Sequence, residues 1–138
     1  MMDSLKFNWS EVIQFCIAMG EPQEYSFNNI IKRIIKKSLF TERQIEIILN
    51  HKNLEEIKFN ISKGAYFRQV NQSRNKVIGL YYSIILLRGL GIIPPDEIDV
   101  ISRLSEQVSV IQNSDVFSER EDEIINVMDK AIRQTNAL

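Results

Sequence analysis

The chain has 138 residues, with 17 lysines and arginines against 18 aspartates and glutamates, so its net charge is −1. The hydrophobic fraction of 44% and the charged fraction of 25% are ordinary for a globular protein and exclude wholesale disorder. The single cysteine, Cys16, excludes an internal disulfide framework. Because His51 is the only histidine, we find no His/Cys cluster and no nucleophile–base pair, and we expect no metal, no cofactor and no enzymatic activity.

The spacing of the apolar residues predicts an all-α fold in a single helical domain, residues 1–138. Capping residues mark several helix starts: Ser26, Thr41 with Gln44 three residues later, and Ser62. We expect about six helices and one short helical turn, at residues 9–20, 27–38, 41–50, 54–59 (the short turn), 62–91, 95–112 and 119–135.

The near-zero net charge hides an asymmetry along the chain. Residues 1–94 carry 13 basic and 8 acidic side chains, whereas residues 95–138 carry 4 basic and 10 acidic ones. A basic part of this kind points to a polyanion partner, although surface charge also drifts without function. The helix at 27–38 is basic and amphipathic, and its polar side could meet phosphates, an acidic partner, a membrane surface or only solvent.

One stretch, Val77 to Ile93, is almost entirely apolar but is only 17 residues long and contains Arg88. A membrane-spanning helix needs about 20 apolar residues, so we interpret this stretch as a buried helix and expect no membrane partner. The N-terminal residues lack the basic start and apolar run of a signal peptide, so the expected location is the cytoplasm.

The predicted helix from Ser62 to Leu90 carries the most information. If Val70 points inward, Tyr66, Phe67, Val77 and Tyr81 share its side, at about 100° per residue. The opposite side then holds Arg68, Gln72 and Asn75, flanked by Gln69, Asn71 and Lys76. These are the side chains that contact phosphates and base edges, and no carboxylate occurs between residues 62 and 91.

Beyond Lys76 the same helix becomes apolar on nearly every side, so it must be buried on nearly every side. Either the C-terminal helices surround it or another subunit does. We expect residues 78–138 to form a part for packing and oligomerisation, with the C-terminal helices around the apolar half of the long helix and the chain a homodimer.

The segments "FTERQIEIIL", "LEEIKF" and "NISKGAYFRQVNQSRNKV" follow one another within residues 39–77. This order resembles the helix-turn-helix domains of the sigma-factor region 4, LuxR and archaeal Tfx kind. The chain departs from that pattern at "IKFN", where the family has a small residue and a turn glycine.

The resemblance implies a recognition helix capped by Ser62, which would lie near a phosphate. Lys63 and Arg68 would contact phosphate or guanine, Gln69 and Gln72 would read adenine, and Tyr66 would contact phosphate or belong to the core. The DNA backbone would be held by Arg74, Asn75 and Lys76. The predicted direction of Arg74 is inward, so pairing with Glu55 or Glu56 is an alternative for it.

We therefore expect a transcriptional regulator that binds double-stranded DNA through a central helix-turn-helix, as a homodimer. The alternative is a helical protein–protein interaction or assembly module that does not bind nucleic acid.

Overall fold

The computed structural model describes residues 25–113 and 118–135, and the predicted helix at 9–20 lies outside them. The described part is helical and contains no strand, as the all-α prediction requires. A 3-10 turn at Ser118–Arg120 leads into the last of its five α-helices. These are α1 (Asn29–Lys37), α2 (Glu42–His51), α3 (Lys63–Gly89), α4 (Pro95–Gln112) and α5 (Glu121–Thr135).

The start of α1 is fixed by Asn28 and not by Ser26, so that predicted cap was wrong. The Asn28 side chain accepts a 2.9 Å hydrogen bond from the backbone N–H of Ile31, and its amide donates to the carbonyl of Ile111 on α4, also at 2.9 Å. One side chain therefore caps α1 and ties it to the end of α4.

The caps predicted for α2 and α3 are confirmed. The Thr41 hydroxyl accepts from the backbone N–H of Gln44, while the Gln44 side chain accepts from the backbone N–H of Thr41. The Ser62 hydroxyl accepts from the N–H of Ala65 at 3.1 Å. From this cap α3 runs for 27 residues without interruption, as its sequence spacing predicts.

The end of α3 is formed by Gly91, whose φ of 79° lies in the left-handed region that favours glycine. The N–H of Ile92 returns to the carbonyl of Leu87 and the N–H of Gly91 to that of Arg88, which is the Schellman arrangement. The chain then continues to Pro95 in the first turn of α4, where a missing N–H costs nothing.

Residues 54–59 contain no helix, so the predicted short turn of helix was wrong. After α2 the backbone passes through Asn53 at φ 58° and continues as an irregular connector to Ser62. The Asn50 amide donates a 2.9 Å hydrogen bond to the carbonyl of Ile57, whose side chain is buried. This hydrogen bond back to α2 and the burial of Ile57 favour an extended backbone over the local helical propensity of "LEEIKF".

The main apolar core lies between α1, α4 and α5, and α1 contributes three of its six buried residues. Ile45 and Leu49 on α2 pack against the core and connect it to the rest of the molecule. The buried residues of this cluster are Phe27, Ile30, Ile31, Ile35, Ile111 and Ile125.

The helices α2 and α3 form a second packed unit, a helical hairpin closed by the connector. Its most buried side chains are Ile47, at 0% exposure, and Ser73, at 1%. Ile47 lies on the opposite side of α2 from the residues that reach the main core, so α2 is packed on both sides. The hairpin thereby holds the first half of α3 in a fixed position.

Candidate nucleic-acid interface

The first half of α3 presents five of the eight predicted site residues to solvent. Ser62, Lys63, Arg68, Gln72 and Asn75 are exposed, while Tyr66, Gln69 and Lys76 are half-buried against the α2 side. The structure therefore divides the predicted set into a surface group and a supporting group.

Tyr66 belongs to the supporting group. Its hydroxyl donates a 2.7 Å hydrogen bond to Oδ1 of Asn50, and its ring contacts the rings of Phe59 and Phe67. Burial raises the pKa of Tyr66 above its ordinary value. Of the two roles considered for this residue, packing is the one that these contacts support.

Lys76 also holds the hairpin together. Its ammonium donates to the carbonyl of Leu39 at 2.6 Å and to Oε1 of Gln44 at 3.0 Å, and it lies 5.6 Å from the centre of the Phe40 ring. These partners surround the start of α2. Lys76 thus connects the middle of α3 to the α2 cap, which the sequence spacing did not indicate.

Arg74 points outward, so its predicted inward direction was wrong. Its guanidinium donates a 3.1 Å hydrogen bond to Oδ1 of Asn71 on the same exposed face, and it makes no ion pair with Glu55 or Glu56. Phe67, predicted on the inner side, is exposed instead, whereas Gln69 has its Oε1 buried without a hydrogen-bond partner among the described residues.

These differences have one geometric cause. The buried side of α3 is centred near Ser73 and not on Val70, a rotation of about 60° at 100° per residue. Ser73 can face α2 because its side chain is small and permits a close helix contact. The rotation adds Arg74 to the exposed polar face and removes Lys76 from it, while Asn71 is exposed as predicted.

The exposed polar face is rich in cationic and amide groups, of which Arg74 and Asn71 are hydrogen-bonded to each other. Lys63 and Arg68 form no hydrogen bond or ion pair with any residue in the described part of the chain. Since no carboxylate lies on α3, nothing on the helix itself neutralises them. We name this set the α3 polar face: Lys63, Arg68, Asn71, Gln72, Arg74 and Asn75.

The basic side of α1 differs, because much of its charge is neutralised within the fold. Arg33 donates to Asp122 at 2.6 Å and to Glu121 at 3.3 Å, and Lys37 lies 3.7 Å from Asp129. Hydrogen bonding from Arg133, with a smaller contribution from Lys37, lowers the pKa of Asp129. Acidic side chains of α5 thus neutralise part of the basic charge of α1. The α3 polar face is therefore the stronger candidate for binding a polyanion.

The second half of α3 is exposed, so the prediction that the C-terminal helices pack around it was wrong. Tyr82 is 70% exposed, Ile85 66% and Tyr81 61%, and the main core contains no residue from α3. We name the following residues the α3 apolar face: Ile78, Tyr81, Tyr82, Ile85 and Leu86.

Residues 25–113 and 118–135 provide neither a metal site nor a membrane span. They contain no group of three or more His, Cys, Asp or Glu side chains placed to hold a metal ion. None of their helices is both long enough and apolar enough to span a membrane.

Comparison of the chain with protein-family models, with curated protein sequences and with solved structures found no significant match.

Proposed function

We propose that the protein binds double-stranded DNA through the α3 polar face and acts as a transcriptional regulator in the cytoplasm. The observation that carries the proposal is the pair Lys63 and Arg68, exposed and unpaired on a helix segment without carboxylates. Two free cations held on a rigid helix attract phosphates, since DNA carries a negative charge about every 1.7 Å of its axis.

The other side chains of the face fit sequence readout. A helix of this diameter enters the major groove, where Arg pairs with guanine and Asn or Gln pairs with adenine. Arg68, Gln72 and Asn75 lie three to four residues apart, so they line one side of the helix. Phosphate contacts from Lys63 and the free N-terminal N–H groups of α3 would orient that side toward the bases.

The irregular connector changes how the helix-turn-helix resemblance applies. With no helix at 54–59, α2 and α3 alone form the DNA-binding hairpin in this proposal. Asn50, Tyr66 and Lys76 then position α3, and the bases are contacted from α3 only.

A mobility-shift measurement on genomic fragments at two salt concentrations tests the proposal. We expect binding whose affinity falls steeply between 50 and 200 mM salt, as counterions are released. The variant Lys63→Ala should bind all fragments more weakly and show a smaller salt slope. Absence of binding at the lower salt concentration contradicts the proposal.

The second candidate is an assembly module without nucleic-acid binding, and the α3 apolar face is the observation that favours it. Such a module would associate through apolar contacts, and its association would depend little on salt. The mobility-shift experiment separates the two candidates, because the assembly module leaves DNA unshifted at both salt concentrations.

A further inference from the structure

We propose that the α3 apolar face packs against the same face of a second copy of the chain, with the two α3 helices antiparallel and crossing near Tyr82. Self-association does not depend on DNA binding. The further claim, that this pairing arranges two DNA-contacting surfaces, rests on the function proposed above.

The face has the chemistry of a self-complementary surface. Between Val77 and Gly91 the only charged residue is Arg88, whose guanidinium donates to the carbonyl of Ile93 at 2.8 Å. In a symmetric dimer each patch meets a copy of itself, so a charged patch would repel its partner. This patch brings no like charges together.

The exposed area is close to what a dimer needs. At about 200 Å² for each large apolar side chain, the exposed fractions of the five residues correspond to on the order of 600 Å² per chain. The neighbouring Leu90 and Ile92, also exposed, extend the patch toward the roughly 800 Å² that each partner buries in a standard interface. An exposed apolar surface of this size is at the upper end of what monomers expose, and patches of that size are often functional.

The five side chains span about 140° of the helix circumference, which is the width of one packing face. Three residues of the polar face, Arg68, Gln72 and Asn75, lie between about 50° and 110° to one side of its centre. In an antiparallel pair the two-fold axis is perpendicular to both helices. Arg68, Gln72 and Asn75 of the two copies therefore point to the same side of the dimer.

The distance between the two polar faces of the dimer also suits DNA. Arg68 precedes Tyr82 by fourteen residues, so at 1.5 Å per residue the two copies of Arg68 lie about 40 Å apart when the helices cross near Tyr82. Half-sites contacted by dimeric helix-turn-helix proteins are about 34 Å apart, one turn of DNA. The antiparallel pairing thus brings both polar faces near successive major grooves.

Light scattering of the full chain without DNA tests self-association. We expect twice the chain mass of 16.1 kDa at micromolar concentration, and a single chain mass for Ile85→Glu. The matched control is Val127→Glu on α5, which changes a side chain of similar exposure and should remain dimeric. A monomeric wild-type chain would overturn the proposal, whatever else covers the α3 apolar face. An Ile85→Glu variant that stays dimeric would overturn it too.

Disulfide trapping in a Cys16→Ser background tests the direction of pairing. When Ile78→Cys and Leu86→Cys chains are mixed and oxidised, antiparallel helices crossing near Tyr82 give the mixed disulfide between positions 78 and 86. Parallel helices give only the two homodisulfides, which would overturn the antiparallel arrangement. Because neither measurement contains DNA, failure of the dimer and failure of DNA binding are observed separately.

Discussion

The Tyr66 hydroxyl donates a 2.7 Å hydrogen bond to Oδ1 of Asn50, and this contact joins the first turn of α3 to the end of α2. The same Asn50 side chain donates to the carbonyl of Ile57 in the connector. One residue therefore links the three segments of the hairpin, and the orientation of the α3 polar face depends on it.

The two residues should be energetically coupled. Tyr66→Phe and Asn50→Ala should each lower the free energy of unfolding, Tyr66→Phe by about 1 kcal/mol and Asn50→Ala by more because it removes two bonds. In a double-mutant cycle measured by denaturant unfolding, we expect a coupling energy of about 1 kcal/mol. Additive effects would show that the hydrogen bond does not contribute.

The raised pKa of Tyr66 predicts that the stability of the protein depends on pH. Because burial raises the pKa of Tyr66 above 10.0, the folded chain keeps the proton at a pH where the unfolded chain loses it. The contribution of this group is fully present below pH 10 and is lost as the pH rises through the folded-state value. Stability measured between pH 9 and 11 should therefore fall less steeply for Tyr66→Phe than for the wild type, and identical slopes would contradict this.

Much of the helical framework follows from local signals in the sequence. The Thr41–Gln44 capping box, the Ser62 cap and the two prolines at the start of α4 act within a few residues. Their positions can therefore be predicted without knowledge of the fold. The length of α3 follows equally from its continuous helical spacing.

The errors have a common origin in contacts between separate elements, which a local sequence pattern does not show. Asn28 is selected as the α1 cap with help from Ile111, 83 residues away, and the connector is held open by Asn50. The rotation of α3 depends on Ser73 lying against α2, and a serine carries no sequence signal for burial. For the candidate site, sequence predicted the helix and its cations but not which residues support it.

Lys76 should contribute to the stability of the fold and not to the charge of the α3 polar face. Lys76→Met removes charge-assisted bonds to Leu39 and Gln44, and we expect the free energy of unfolding to fall by about 1 to 2 kcal/mol. The matched control, Lys63→Met, changes an exposed lysine without a partner and should alter stability by less than about 0.5 kcal/mol. Equal effects in chemical denaturation would remove the distinction between the supporting and surface groups.

Replacing Ser73 with alanine should stabilise the folded protein. Its hydroxyl is buried with no hydrogen-bond partner among the described residues, and a buried unpaired hydroxyl carries a desolvation cost. We expect Ser73→Ala to raise the free energy of unfolding by up to about 1 kcal/mol. Ser73→Leu should lower it by about 1 to 3 kcal/mol, because the larger side chain separates α2 from α3.

A control for Ser73→Ala is Ser105→Ala, which removes an exposed hydroxyl that donates to the carbonyl of Ile101. That change should leave the unfolding free energy nearly unchanged. If Ser73→Ala destabilises the protein by more than the control does, the hydroxyl contributes favourably and the argued desolvation cost is incorrect.

The most direct test of the central claim compares DNA binding by Arg68→Ala and Lys36→Ala, two exposed cations without partners in the described part of the chain. Arg68 lies on the α3 polar face, and a bidentate arginine–guanine contact is worth roughly 1 to 3 kcal/mol of discrimination. We predict that Arg68→Ala lowers affinity for a selected site about 5- to 150-fold and for random DNA much less, while Lys36→Ala changes both only slightly. Unchanged binding by Arg68→Ala, or equal losses in the two variants, would contradict DNA recognition by α3.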